Sequence, residues 1–409
     1  MGFTIEQECP QCGGPVELDE TDRLLRCPYC DVKSFLFTTD YYRYLLPNVA
    51  PDKDIIYVPY LRFKGAVYFC KGLTIDHRLI DITHLGLEFD NIPVSLGLRP
   101  QAMKMKFLTP EMQGSFLKFS LKPTDILTRA GKLSSGTSGE QILHRAFIGE
   151  TMSLIYLPMY IEGDRLFDGV LNRPIATLPK GRDGLDPLIT RNSRWKMAFI
   201  PTLCPQCGWN LEGERDSIVM TCNNCHTAWE VVEGRFVRVT LSIVSAQDKN
   251  SVYLPFWKIS ADAKGGIEIG SFSDFIRLTN QPRVIDDESG KEDMSYWSPA
   301  FKIRPNLFLN LSRQLTVSQR RFQEEETISG KKIYPVTLPR AEAVQALKII
   351  LASSSVYKKN VLPHLPRITF EIKSSALVLL PFTETNHDMI QQDTGISVNK
   401  QGFEFGRQL

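Results

Sequence analysis

The chain has 409 residues, of which 43% are hydrophobic and 10% aromatic, so it is long enough and apolar enough to build more than one folded core. This composition excludes an intrinsically disordered protein. The formal net charge is +2, and it becomes about −2 when eight cysteines are counted as thiolates around two Zn²⁺ ions; a charge this close to zero gives no global field that would attract nucleic acid or anionic lipid.

The first predicted element is a four-cysteine metal site within residues 1–40. Cys9 and Cys12 form one CxxC pair, Cys27 and Cys30 form a second, and 14 residues separate the inner cysteines. Two CxxC pairs at this spacing are typical of a Zn²⁺ site. Four thiolates fill the tetrahedral coordination sphere and leave no position for water, so we expect a structural and not a catalytic ion.

Residues 41–172 are predicted to form a β-rich domain. Within segment 57–64, aromatic and aliphatic residues surround Pro59, which indicates an edge strand, a bulged strand or a strand start, because proline cannot donate to a sheet. A helix is predicted over 140–148, and an apolar strand with a central proline over 155–160. Residues 173–198 are rich in glycine, proline and charge, which is typical of a linker.

The same pattern then returns in the same order. A second ribbon is predicted over 199–235 and a second β-rich domain over 236–409, and the inner cysteines of the second motif are again 14 residues apart. The ligands of this second site are predicted to be Cys204, Cys207, Cys222 and Cys225.

Matching segments also follow the second ribbon. Segment 253–259 repeats the aromatic and proline pattern, a helix is predicted over 340–352, and an apolar strand surrounds Pro381. Segment 306–311 is read as one more strand. This shared order predicts an α+β, β-dominated fold with an internal duplication of a zinc ribbon plus β-rich domain unit.

Both cysteine motifs resemble the zinc ribbon family, over about 30 residues in each copy. Gly13 and Gly208 follow the first CxxC pairs, where a positive φ lets backbone N–H groups turn toward sulfur. The resemblance implies a small hairpin module held together by one Zn²⁺. It implies no particular activity, since zinc ribbons occur in transcription factors, polymerase subunits, ribosomal proteins and adaptors.

No catalytic or cofactor-binding residues are predicted, because the sequence contains no HExxH, GxGxxG, GxSxG or P-loop motif. His226, next to Cys225, is an alternative ligand, but four cysteines already suffice. The ninth cysteine, Cys70, is expected to be a small buried apolar residue.

The sequence therefore predicts a non-enzymatic adaptor or structural subunit of a larger cytosolic assembly, which carries two structural zinc ions and binds protein partners of unknown identity. The alternative is a nucleic-acid-binding protein that uses the basic and aromatic residues of segments 57–64 and 253–258. Acidic residues at the ribbon tips, among them Glu17 and Glu20, are expected to repel phosphate. Without a signal peptide or an apolar run of about 20 residues, a cytoplasmic location and no transmembrane segment are predicted.

Overall fold

The chain folds into two compact units, each made of three segments of the sequence. The computed structural model describes residues 2–50, 52–90, 92–112, 114–127, 141–178, 185–190, 195–248, 250–283 and 291–407. Unit 1 consists of Met1–Lys64, Ile80–Gly136 and Thr151–Thr202. Unit 2 consists of Gly65–Leu79, Thr137–Glu150 and Leu203–Leu409. Two segments from the first half of the sequence thus belong to unit 2.

Strands dominate the described residues. The strands that begin before residue 203 are β1 (Thr4–Glu8), β2 (Pro15–Asp19), β3 (Leu24–Arg26), β4 (Lys33–Phe37), β5 (Tyr42–Leu45), β6 (Ile56–Lys71), β7 (Thr74–Leu85), β8 (Met105–Phe107), β9 (Ser115–Leu117), β10 (Ile142–Glu162), β11 (Arg165–Asp168), β12 (Arg173–Thr177), β13 (Ile189–Thr190) and β14 (Ala198–Pro201). The strands after it are β15 (Val219–Cys222), β16 (Thr227–Val232), β17 (Arg235–Val239), β18 (Leu241–Val244), β19 (Val252–Lys264), β20 (Ser295–Pro299), β21 (Glu324–Glu325), β22 (Lys332–Ile333), β23 (Thr369–Glu384), β24 (Asp388–Gln391) and β25 (Ile396–Asn399).

Helices are shorter and fall mostly in unit 2. Those whose bounds lie within the described residues are α1 (Arg99–Ala102), α2 (Phe272–Thr279), α3 (Pro305–Ser318), α4 (Arg340–Gln345), α5 (Leu347–Ser354) and α6 (Gln401–Gly406), and residues 123–127 are also helical. Short 3₁₀ turns occupy Asp186–Leu188, Lys358–Asn360 and Leu362–His364. The predicted β-dominated α+β class is confirmed.

The main sheet of unit 1 has the strand order β13-β9-β6-β10-β5-β8-β1-β2, with β7 beside β6 and the β11–β12 hairpin beside β10. Strand β5 runs parallel to β10, and β9 runs parallel to β6 with Phe116 opposite Tyr57. Strands β12 and β13 lie within the segment read as a linker, and they pair with β11 and β9. Residues 179–184 and 191–194 of that segment lie outside the described residues.

The main sheet of unit 2 repeats this pairing pattern, with the strand order β20-β19-β23-β18-β21. Strand β18 runs parallel to β23, and β22 runs parallel to β19 with Ile333 opposite Tyr253. The β24–β25 hairpin extends β23 as β11–β12 extends β10. Tyr57 and Tyr253, which the sequence aligns, therefore hold the same register position in their sheets.

The strands that carry Pro59 and Pro255 are interior strands, contrary to the edge-strand alternative. Strand β19 is a bulged strand, but its register shift lies between Ser260 and Ala261 and not at Pro255. On one side, β19 pairs first with β22, up to Tyr253, and then with β20, from Phe256 onward. Pro255 falls between these two neighbours, and its carbonyl oxygen accepts from Ala300 N at 3.0 Å. The carbonyl of Pro59 accepts from Gly86 N at 2.8 Å in the same way. The missing N–H thus lies where one neighbouring strand ends and the next begins.

Two other element predictions were wrong. Residues 142–148 of segment 140–148 belong to strand β10, not to a helix. Segment 306–311 lies in helix α3, which begins with Pro305 in its first turn and buries Phe308, Leu311 and Leu315 at helical spacing. The helix predicted over 340–352 is present as α4 and α5, which meet at Ala346.

Each unit contains its own apolar core. In unit 1, Tyr60, Phe63 and Ile155 are fully buried. In unit 2, Trp257 is buried on β19 and its indole N–H donates to the carbonyl of Leu338 at 2.9 Å. No helix among the described residues is both long enough and apolar enough to cross a membrane.

Candidate metal centres

The first cysteine cluster is built by two tight turns within residues 1–40, here called ribbon 1, and residues 199–235 are called ribbon 2. Cys9 follows β1, and its backbone carbonyl accepts from Gly13 N at 2.9 Å, with Gly13 at a φ of 73°. Cys27 follows β3, and its carbonyl accepts from Asp31 N at 3.0 Å, with Asp31 at a φ of 56°. A left-handed residue after each CxxC pair curls the backbone around the sulfur atoms, as the sequence predicted at Gly13.

The second cluster in ribbon 2 has the same backbone geometry. The carbonyl of Cys204 accepts from Gly208 N at 2.8 Å, and Gly208 has the same φ of 73° as Gly13. His226 takes the left-handed position after the second pair, with a φ of 54°. Its ring Nδ1 accepts from Ile328 N at 3.4 Å. His226 therefore connects the ribbon to the rest of unit 2 and does not join the cysteine cluster.

The structure brings the eight predicted cysteines together in two groups of four. Within each group all four Sγ atoms lie within 4.8 Å of one another. Cys9 and Cys30 are 3.7 Å apart and Cys12 and Cys27 3.6 Å apart in ribbon 1, and Cys204 and Cys225 are 3.6 Å apart and Cys207 and Cys222 3.5 Å apart in ribbon 2. Four sulfurs placed tetrahedrally at about 2.3 Å from a Zn²⁺ ion would be about 3.8 Å apart. Both groups therefore have the size and the donor set that a tetrahedral metal ion requires.

Ionisation within the second cluster is uneven. The side-chain amide of Asn224 and the backbone N–H of Trp209 lower the pKa of Cys207 to about 6. Burial and the neighbouring sulfurs of Cys207 and Cys225 raise the pKa of Cys222 to about 12. Four thiolates this close together need a cation to compensate their charge, so metal binding here is coupled to proton release.

Ribbon 1 is fixed to its own β-sheet by strand pairing and by a buried ion pair. Strand β1 runs parallel to β8, so the first hairpin of the ribbon belongs to the main sheet. Glu20, beyond the end of β2, is buried, and its carboxylate accepts from Arg62 Nε at 3.0 Å. Arg62 also pairs with Asp81. The expectation that Glu20 is an exposed charge that repels phosphate was therefore wrong.

Ribbon 2 is fixed to unit 2 in a different way. Ile218 N donates to the carbonyl of Val336 at 2.9 Å. Asp216, at the ribbon tip, is buried and binds Arg407 through two hydrogen bonds of 2.9 and 2.7 Å. Arg407 follows α6, so the C-terminal helix and the ribbon are connected by a bidentate ion pair.

Of the other residues chosen from the sequence, Cys70, Arg62 and Lys64 are buried, whereas Lys258 is exposed. Cys70 is fully buried, as expected, and burial raises the pKa of its thiol to about 12. In segment 57–64, Arg62 and Lys64 are both buried in unit 1. Lys258 lies over the ring of Trp297, with 5.7 Å between Nζ and the ring centroid.

Comparisons with protein-family models, with curated proteins and with solved structures found no match to this chain.

Proposed function

We propose that this protein is a non-enzymatic adaptor or structural subunit of a cytosolic protein assembly, and that each ribbon holds one structural Zn²⁺ ion. Zinc is the preferred ion because tetrahedral sites of four thiolates are typical of it. All four positions around each ion are taken by protein sulfur, which leaves none for a substrate. The cytosolic location rests on cysteines arranged for metal binding rather than for disulfides.

We further propose that the two units arose by duplication of one unit. The support is the shared pairing order of the two sheets, with the same two parallel pairs, β5 with β10 and β18 with β23, and β9 with β6 and β22 with β19. Arg99 and Arg304 stand at the starts of helices that carry proline in their first turn. A duplicated subunit has two related surfaces that can take different partners.

The turn before α3 in unit 2 and the matching turn before α1 in unit 1 differ in exposure, and this difference supports protein binding. In unit 2, helix α6 covers the turn before α3: Phe403 stacks on Phe301 with 5.5 Å between ring centroids, and the Arg304 guanidinium lies 4.0 Å from the Phe405 ring centroid. Ile303 in this turn is 5% exposed. Leu98, at the matching position before α1, is 78% exposed.

We infer that the surface at Leu98 receives a short helix from a protein partner. The helix would carry aromatic side chains, as α6 does, because an aromatic helix is what covers the matching turn of unit 2. Unit 1 exposes two further apolar residues, Leu171 and Val49. Arg99 forms a 2.7 Å ion pair with Asp168, and in the turn after Asp168 the exposed Leu171 lies near Val49, whose N–H donates to Gly169 O at 2.9 Å.

The test is affinity purification of the tagged full-length protein from its own cells, with and without nuclease, read by mass spectrometry. Leu98→Asp is compared with Leu73→Asp, which changes an exposed leucine in the turn between β6 and β7. A stoichiometric protein that survives nuclease, binds wild type and Leu73→Asp, and is lost with Leu98→Asp supports the proposal. A partner that Leu98→Asp retains refutes the site.

The same experiment tests nucleic-acid binding. Partners that disappear with nuclease would refute the adaptor function. The buried positions of Arg62 and Lys64 argue against this alternative, because phosphate groups cannot reach them.

A further inference from the structure

The two cysteine clusters have the same backbone geometry but different surroundings. In ribbon 2, Thr227 follows Cys225 by two residues, and its Oγ1 lies 3.1 Å from Cys225 Sγ. The same oxygen lies 3.9 Å from Cys204 Sγ. In ribbon 1, the residue two positions after Cys30 is Val32, which has no hydroxyl group. One cluster thus has a side-chain hydroxyl against two of its sulfurs, and the other has an aliphatic side chain at that position.

The direction of the Thr227 hydrogen bond follows from a third residue. The indole N–H of Trp229 donates to Thr227 Oγ1 at 2.8 Å. A threonine hydroxyl has one proton, and an oxygen that already accepts from an indole is free to direct that proton to sulfur. Both Thr227 and Trp229 are buried, so water does not replace either contact. The chain Trp229–Thr227–Cys225 therefore holds a donor against the cysteine sulfur.

We infer that the two metal sites are unequal: ribbon 2 holds its ion more tightly than ribbon 1, and Thr227 is a positioning residue for Cys225. This inference rests on the proposed binding of zinc by both clusters. A buried donor that contacts a coordinating sulfur fixes the direction of that sulfur toward the ion. Loss of such a group lowers metal affinity by about 10- to 100-fold. Ribbon 1 is thus the site from which metal exchanges first.

The test is removal of zinc from the full-length protein by a chelating dye, followed by absorbance. Cys9→Ser disables the cluster of ribbon 1, so the zinc that this variant releases comes from ribbon 2. Cys204→Ser disables the cluster of ribbon 2, so the zinc that it releases comes from ribbon 1. We expect the Cys9→Ser protein to retain its ion against higher dye concentrations than the Cys204→Ser protein.

Variants at the threonine then separate its role from simple packing. Thr227→Val in the Cys9→Ser chain should weaken zinc binding by about 10-fold or more. Thr227→Ser, which keeps the hydroxyl, should restore most of the affinity. Thr227→Val also leaves the buried indole N–H of Trp229 without an acceptor. The double variant Thr227→Val/Trp229→Phe removes that N–H as well and so controls for this second effect. Val32→Thr in the Cys204→Ser chain should slow release from ribbon 1.

The outcomes distinguish the inference from the proposed function. If the wild-type protein binds two ions but Thr227→Val retains zinc within about two-fold of its parent, or if both ribbons release zinc equally, the inference is overturned. If the wild-type protein binds no zinc, the proposed zinc sites themselves fail.

Discussion

The charge state of Glu342 provides a quantitative test of the structure of unit 2. Glu342 lies in α4 and is buried, and its Oε2 accepts hydrogen bonds from the backbone N–H groups of Gly149 and Glu150. Burial raises the pKa of Glu342 to about 8, the charge of Glu150 adds to this rise, and Lys302 opposes it. These contacts hold in place the part of β10 that belongs to unit 2.

The sign of the pH dependence follows from this raised pKa. In the unfolded chain the pKa returns to its ordinary value of 4.5, so between that pH and about 8 the folded state holds an additional proton. The stability that the group contributes is complete below pH 4.5 and is lost as the pH rises toward 8. The slope is about 1.4 kcal/mol per pH unit, so the free energy of unfolding should fall by about 2 kcal/mol between about pH 6.5 and about pH 8 from this group alone.

Glu342→Gln removes the titrating proton and keeps an oxygen that accepts from Gly149. We expect the variant to lose this pH dependence, so that it gains about 2 kcal/mol relative to wild type between about pH 6.5 and about pH 8. The assay is urea unfolding of the zinc-loaded protein, followed by tryptophan fluorescence. The control is Glu268→Gln, at an exposed position. Parallel stability curves for wild type and Glu342→Gln would show that this reasoning about Glu342 is wrong.

Three further predictions concern the ribbons and the C-terminal helix. Arg62→Met leaves the buried carboxylate of Glu20 without its partner and should cost about 3–5 kcal/mol in urea unfolding. The double variant Arg62→Met/Glu20→Gln should recover most of this loss, and an equal loss in both would contradict the role of the ion pair. Cys204→Ser should lower the zinc content from two ions per chain to one, measured by elemental mass spectrometry, and unchanged content would exclude this residue as a ligand. Gly406→Ala places a methyl group against the carbonyl oxygen of Lys302, so α6 should be cleaved faster in limited proteolysis; unchanged protection would refute the close packing.

The cysteine clusters could be read from the sequence because their geometry is local. A CxxC pair places two sulfurs on one turn, and a following residue with positive φ completes that turn, as at Gly13 and Gly208. The second pair of each ribbon follows after only 14 residues. The grouping of four cysteines thus depends on fewer than 25 consecutive residues in each ribbon.

The sequence did not distinguish a strand from a helix where the apolar pattern fits both. Leu307, Phe308 and Leu309 are consistent with either a strand or a helix, and the helix forms because Pro305 starts it and one apolar face packs on the core of unit 2. Pro255 was misread because its place in the sheet depends on where two neighbouring strands end and begin. Those neighbours are distant in sequence.

The sequence by itself determined the β-dominated class, the two cysteine clusters and the order of matching segments, since these depend on residue type and on spacing along the chain. Only the tertiary structure showed that Arg62 meets Glu20, 42 residues away, and that Asp216 meets Arg407, 191 residues away. It also assigned the segments Gly65–Leu79 and Thr137–Glu150 to unit 2. A buried charge, or a strand segment that belongs to a unit distant in sequence, is stabilised by the groups packed around it, and no local pattern records which groups those are.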